Sequence, residues 1–355
     1  MRFFDVKEKR NKVNCVVLLS FLLGVFILFV LSLCLGSSNL SFGSSFLALF
    51  GQGPDNAVRI VTKIRLPEAL AALIAGAGLA LSGLIMQTCL GNIMASPGTL
   101  GVSNAAVFGA NVSIIVFAGG YVSTGKNAES LISSVNPFAC SSFAFAFALL
   151  STAIILLLAR LKRFSPSSLV LSGVALGAVW SALTAILQFY ATDVGLSAAV
   201  IWSFGDLGRA SFQSDLVMGI VVVLEGAFFF AFRHRYNALL RGDAFASSLG
   251  INVSLLRFLS LLIASLVTAV CVSYLGIIGF VGIICPHIAR KLVGENHSSL
   301  IPGTLLCGSV LLLFSNVISK VIAPGNALPI GAVTSLLGAP FFLYLIFACR
   351  REREC

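Results

Sequence analysis

Charged side chains are scarce in this sequence. Asp, Glu, Lys and Arg make up 10% of its 355 residues, against roughly a quarter in a soluble globular protein. With 58% hydrophobic residues beside so few charges, a water-soluble globule is excluded. Acidic residues are the scarcer sign, 13 against 23 Lys and Arg, for a net charge of +10. Such a balance could suit nucleic acid, but the cations lie between long apolar runs, where the orientation signals of a membrane protein lie, so no nucleic-acid partner is expected. Histidine occurs three times, at His234, His287 and His297, without a carboxylate or cysteine at ligand spacing, so no metal site is expected. The nine cysteines include no Cys-x-x-Cys pair, and most fall inside apolar runs, which reads as small buried hydrophobes rather than a disulfide framework. Gly-x-Ser-x-Gly and His-Glu-x-x-His are absent, so an enzyme of the membrane-hydrolase type has no motif to stand on.

What is present is a succession of apolar runs of about 20 residues, each able to cross a hydrocarbon core of ~30 Å as a helix. Ten spans are expected, at 13–35, 68–90, 99–119, 137–159, 168–190, 212–232, 257–275, 279–293, 301–319 and 330–349. The first follows Lys7, Lys9, Arg10 and Lys12 and is too long for a signal-peptide core, so it reads as an uncleaved span. With the N-terminus inside, seventeen of the 23 Lys and Arg fall in cytoplasmic segments, which puts both termini in the cytoplasm. The resulting layout is an all-α polytopic protein of the cell membrane. It has a tail at 1–12, a transmembrane domain at 13–349 and a tail at 350–355, with a long cytoplasmic loop at 233–256. Between Leu196 and Leu207 a short outer segment bearing Trp202 reads as an interfacial helix.

Several local patterns carry physical content. Ala72, Gly76 and Ala80 recur every four residues in the second span, as do Gly78 and Ser82, which lets helix backbones approach closely. Gly120 to Asn127 nearly forms a phosphate-binding loop, but Asn127 replaces the hydroxyl that would hold magnesium, so this chain binds no cofactor there and any ATP must be used by a partner. In the 233–256 loop Asp243 is expected to cap a short helix, Gly250 to end it and Asn252 to cap the next. That knob, presenting Phe245 and Leu249 to the cytoplasm, reads either as a docking element or as a self-packed loop. Glu225, the acidic side chain deep in a span, reads either as a bundle or subunit-interface contact or as a proton relay.

RLPEALAALIAGAGLALSGLIMQ, NIMASPGTLG, SLGINV, GIIGFVGIICPHIARKLVGENH and LPIGAVTSLLGAPFFLYL follow one another in an order and spacing that resembles the FecCD-type permeases, the membrane subunits of ABC importers for iron-siderophores, haem and vitamin B12. The resemblance runs from about Arg59 to Leu345. It implies a type II ABC importer permease of about ten helices, working as a homodimer with two ABC ATPase subunits and an extracytoplasmic substrate-binding protein. Asp243, Phe245, Ala246, Leu249 and Gly250 match the family's ATPase-coupling loop. Asn92 and Met94 match the loop that narrows the inner end of the pathway, and Ser181 and Thr184 fall on the pathway-lining helix. Arg65 matches an outer arginine that meets the binding protein, with Glu68 and Lys320 standing at the other docking positions. The sequence departs from the family there, because Glu68 and Lys320 replace arginines, and also at Asn316 and Ala327, which replace acidic residues. An ion-coupled secondary carrier using Glu225 is the alternative of another class.

Overall fold

The computed structural model describes residues 2–36, 42–118, 136–161, 166–322 and 328–351. The near-phosphate-loop at 120–127 and Ala327 lie outside the described residues. Helices carry the structure: α1 (Arg2–Cys34), α2 (Phe42–Leu49), α3 (Asp55–Ile60), α4 (Leu66–Leu90), α5 (Val102–Asn111), α6 (Pro137–Leu161), α7 (Pro166–Phe189), α8 (Asp193–Ser203), α9 (Phe212–Ala231), α10 (Arg233–Leu239), α11 (Asp243–Ser248), α12 (Val253–Leu275), α13 (Val281–Val293), α14 (His297–Ile322) and α15 (Ile330–Arg351). Each of the ten expected spans coincides with a helix. Seven helical segments are long and apolar enough to cross a membrane; the 102–117 and 330–343 segments are shorter apolar helices.

Two compact units divide the chain. The first takes Met1–Leu84, Leu207–Asn237 and Gly279–Cys355; the second takes Ile85–Asp206 and Ala238–Ile278.

In the first unit, helix α4 is entered through a π-helical turn at Val61–Arg65 that follows α3 without a break. Pro67 explains the turn, since it has no N–H to return to the Lys63 carbonyl, and a wider turn absorbs the missing bond. The helical segment therefore begins at Asp55, thirteen residues before the expected start of the second span. The small residues of α4 do what their spacing predicts. A Cβ on Gly308 of α14 would overlap the Gly76 carbonyl and come within 2.5 Å of Ala80 Cβ. Ser309 donates to the Leu73 carbonyl at 2.9 Å across the same seam.

Helix α13 carries Pro286, His287, Arg290 and Lys291. It has 13 residues, about 20 Å, shorter than the hydrocarbon core of ~30 Å. Pro286 cannot bond the Gly282 carbonyl four residues back, and that carbonyl lies against α4 where a Cβ on Gly83 would overlap it. Arg290 and Lys291 occupy the last turn, where cations suit the carbonyl end of a helix, and Gly294 at φ 80° ends it.

Gly308→Ala is expected to destabilise the protein. Alanine gains about 1 kcal/mol of helix propensity, but overpacking costs about 1–3 kcal/mol or more. The obstacle at Gly308 is backbone, which cannot turn aside. Thermal unfolding of purified Gly308→Ala should show a lower midpoint than wild type; an unchanged or higher midpoint would mean that the seam can open freely.

In the second unit, α5 packs against α6 and α7, and α12 against α5 and α6. Phe108, Phe147 and Trp180 form an aromatic cluster with ring centroids 5.0–5.8 Å apart. Helix α8 is present as expected, and Trp202 is buried in the packing of the unit. Its carbonyl sits 2.7 Å from where a Cβ on Gly276 would stand, so α8 is pressed against the end of α12.

Candidate functional site

The 238–256 segment is built from short-range rules. Gly242 at φ 105° leads into α11, and Asp243 is the first helical residue rather than the cap. Its side chain is drawn away from the helix end by Arg257 of α12, whose Nη1 and Nη2 reach the two carboxylate oxygens at 2.7 and 2.8 Å. The N-cap expectation failed because a bidentate guanidinium outcompetes a backbone N–H for a carboxylate. The C-terminal expectation held. Ile251 N–H bonds the Ala246 carbonyl, Gly250 N–H bonds the Ser247 carbonyl, and Gly250 has φ 75°, which is the paired-bond helix stop. Asn252 caps α12 by accepting from Leu255 N–H at 3.0 Å.

Ala246 is buried beneath the knob while Phe245 is 39% and Leu249 59% exposed. The knob is anchored as well as shaped. Arg257 Nε donates to the Cys89 carbonyl at 2.8 Å, so one buried guanidinium joins α11, α12 and the end of α4.

After α4, Asn92 Oδ1 accepts from Met94 N–H at 2.9 Å and Met94 is exposed. The chain then presses onto α7, where a Cβ on Gly173 would come within 2.6 Å of the Thr99 carbonyl. Asn104 Nδ2 donates to the Gly177 carbonyl and to Ser181 Oγ, both at 3.1 Å. Ser181 is exposed. Thr184 is buried, its hydroxyl bonded to the Trp180 carbonyl at 2.9 Å. The two residues read together as lining therefore part company, and Thr184 is a packing residue of α7. Gly173, Gly177 and Ser181 repeat every four residues, the same signal noticed in the second span. Applied to the fifth span, it would have exposed the α7 contact.

The docking expectation for Arg65, Glu68 and Lys320 is corrected. Their relative exposures are 3%, 8% and 6%. Arg65 Nη1 donates to the carbonyls of Leu33 and Cys34, at the end of α1, and to Ser45 Oγ. Lys320 Nζ pairs with Glu68 Oε2 at 2.9 Å and donates to the Ser32 carbonyl. Asn316 donates to Ser32 Oγ at 2.9 Å. Three of the departures from the family pattern, Glu68, Lys320 and Asn316, thus share one interior network tying α1, α4 and α14. A polar residue at a membrane helix end is drawn to unsatisfied carbonyls nearby, and no single-span pattern reveals that partner. Arg59 and Lys63 of the same segment are the exposed cations.

Glu225 is fully enclosed, and its Oε1 accepts from Ser82 Oγ at 2.6 Å. The histidines stay apart in role. His297 Nδ1 lies 2.9 Å from Asn237 Oδ1, whereas His287 Nε2 has no hydrogen-bond partner among the described residues.

Known proteins resemble this chain along most of its length. The chain is 43% identical over 326 residues, 92% of each chain, to a protein of Methanocaldococcus jannaschii named as an ABC transporter permease. It is 33% identical to the Fe(3+)-citrate import system permease YfmE of Bacillus subtilis, covering 98% of both chains. A solved structure of a metal-chelate type ABC transporter in an inward-facing conformation superposes with a TM-score of 0.79 at 27% identity, covering 94% of this chain and 99% of that one. The FecCD transport family matches residues 23–348. The chain is a member of the FecCD transport family, a multi-span membrane permease of ABC transporters.

Proposed function

We propose that this chain is the translocating subunit of an ATP-driven importer for an iron chelate, working as a homodimer with two ABC ATPase subunits and an extracytoplasmic binding protein. The observation that carries the proposal is the α11 knob. It exposes Phe245 and Leu249 while Arg257 ties its base to α12 and α4. An exposed apolar knob on a stiff base suits a docking element that receives force. A self-packed loop would bury those side chains. In this reading the 233–256 loop and both termini face the cytoplasm, consistent with the distribution of Lys and Arg.

Substrate would pass at the two-fold axis beside Ser181, held by Asn104. A residue lining such an axis must be exposed in the protomer, which Ser181 is and Thr184 is not. Binding-protein docking would fall to Arg59 and Lys63, because Arg65, Glu68 and Lys320 are spent on one another and on backbone carbonyls. The iron-chelate reading leans on relatives named as permeases of Fe(3+)-citrate import and hemin transport systems; haem or cobalamin for this chain is the second choice within the same role.

The ion-coupled alternative rests on Glu225. Its enclosure beside Ser82 favours a helix-packing role, since a relay needs a second proton-carrying group in line, and Glu225 Oε2 has no hydrogen-bond partner among the described residues. One experiment separates the readings. In proteoliposomes holding the whole transporter, Glu225→Gln should keep uptake within about threefold of wild type, whereas a hydrolysis-dead ATPase partner should abolish it. Loss of uptake in Glu225→Gln together with survival in the ATPase-dead assembly would reverse the assignment.

A further inference from the structure

Asp215 lies in the first turn of α9 and is 4% exposed, yet neither carboxylate oxygen has a hydrogen-bond partner among the described residues. An enclosed carboxylate left unpaired is costly and demands a donor. The helix start supplies none directly, because Ser211 and Ser214 cap each other reciprocally.

What lies beside Asp215 is a groove of about 560 Å³. Leu70 and Ile74 of α4 form one wall, and Phe212, Leu216, Ile220 and Val223 of α9 form the other. Gly219, one turn after Asp215 on the same helix face, leaves the floor open. Its missing Cβ would stand 3.7 Å from Ile74 Cδ1, an ordinary contact, so nothing else fills the space. The groove follows α9 from Phe212 to Leu224, about 18 Å, roughly half a hydrocarbon core of ~30 Å and so the depth of one leaflet. Asp215 stands at the end where α9 begins, and reading α9 as a membrane span puts that end at the headgroups. The outward-facing wall residues are exposed and apolar, as suits contact with acyl chains.

We propose that this groove is a specific lipid site, in which an acyl chain lies between α4 and α9 and a primary ammonium headgroup donates to the Asp215 carboxylate. The chemistry selects among lipids. A primary ammonium offers N–H donors and positive charge. A choline headgroup offers charge without N–H, and a glycerol headgroup offers hydroxyls on an anionic lipid. Phe212 and Leu216 line the groove with Asp215 and are 50% and 66% exposed, so they can turn aside to admit a headgroup. The site is separate from the α11 knob and from the network around Lys320, and would act on stability or activity through the seat of α4.

The test uses the full transporter, stripped of lipid in detergent and then given phosphatidylethanolamine, phosphatidylcholine or phosphatidylglycerol. Retention is read by native mass spectrometry and stability by thermal unfolding. Phosphatidylethanolamine should be retained about tenfold better than the other two, the ratio expected of one charge-assisted hydrogen bond. Asp215→Asn, which keeps the shape, should erase that preference. Gly219→Leu, which fills the floor and leaves the carboxylate, should lower retention of all three. Equal retention of the three lipids by wild type would overturn the proposal, as would a preference that persists in Asp215→Asn. So would a groove closed by a second copy of the chain with no lipid retained.

Discussion

Glu68→Gln should unfold this protein more readily than Lys320→Met. The two residues form an enclosed ion pair at 2.9 Å, and Arg65 is near enough to act on both charges. Removing one partner of a buried pair costs about 3–5 kcal/mol because an uncompensated charge is left behind. The geometry ranks the two substitutions. Lys320→Met leaves Glu68 with Arg65 still close. Glu68→Gln leaves two enclosed cations, Lys320 and Arg65, facing each other without a carboxylate.

The double variant Glu68→Leu with Lys320→Met removes both charges and should recover most of the loss, since replacing a whole buried pair by apolar side chains is often neutral. Thermal unfolding of the three purified variants in one detergent gives the ranking. If Lys320→Met is the more damaging single change, or if the double variant is as bad as the sum of the singles, the pair is not the coupled interior unit described here. The result also bears on the proposed binding-protein docking, because it would assign these residues to stability and leave that proposal to the exposed Arg59 and Lys63.

Arg257→Ala should cut ATP-driven uptake by at least about tenfold, the equivalent of losing ~1.4 kcal/mol of coupling. Arg257 makes three bonds that no other side chain can reproduce at once: two to Asp243 and one to the Cys89 carbonyl. Lysine cannot supply a fork, so Arg257→Lys should rescue little. Because Arg257 is nearly enclosed, its loss also threatens folding. Asp243→Ala is the cleaner variant. Asp243 is the more exposed partner, and its removal leaves the Arg257 bond to Cys89 in place.

Asp243→Ala should reduce uptake and ATPase stimulation by substrate while the protein still inserts and unfolds at a near-normal temperature. Two residues acting through one contact are not additive, so Asp243→Ala with Arg257→Ala should be no worse than Arg257→Ala alone. Normal uptake in Asp243→Ala would detach the knob from the proposed transmission route. Additive losses would show that the two residues act separately.

The sequence reveals much of this protein because lipid is an exacting solvent. Apolar runs between polar segments must become helices, since backbone groups have no other partner there. The positions of all ten helices were therefore readable, together with the close approach of α4 through Gly76 and the helix stop at Gly250. The capping of α12 by Asn252 was readable for the same kind of reason, as it depends on residues three positions apart.

Contacts between distant segments were not readable. Asp243 looked like a cap until Arg257, fourteen residues on, was seen to hold it. Arg65, Glu68 and Lys320 stood at positions that the family resemblance implies for docking. Their partners lie on α1, α4 and α14, up to 288 positions away in the chain. Thr184 and Ser181 lie within a turn of each other, and only the packing of α5 on α7 decides that one is covered while the other is open. Periodicity and turn chemistry are local, so the sequence alone determined the helices, their ends and the membrane setting. Which charge meets which, and which face stays exposed, is set by where separate helices come together, and that the tertiary structure decided.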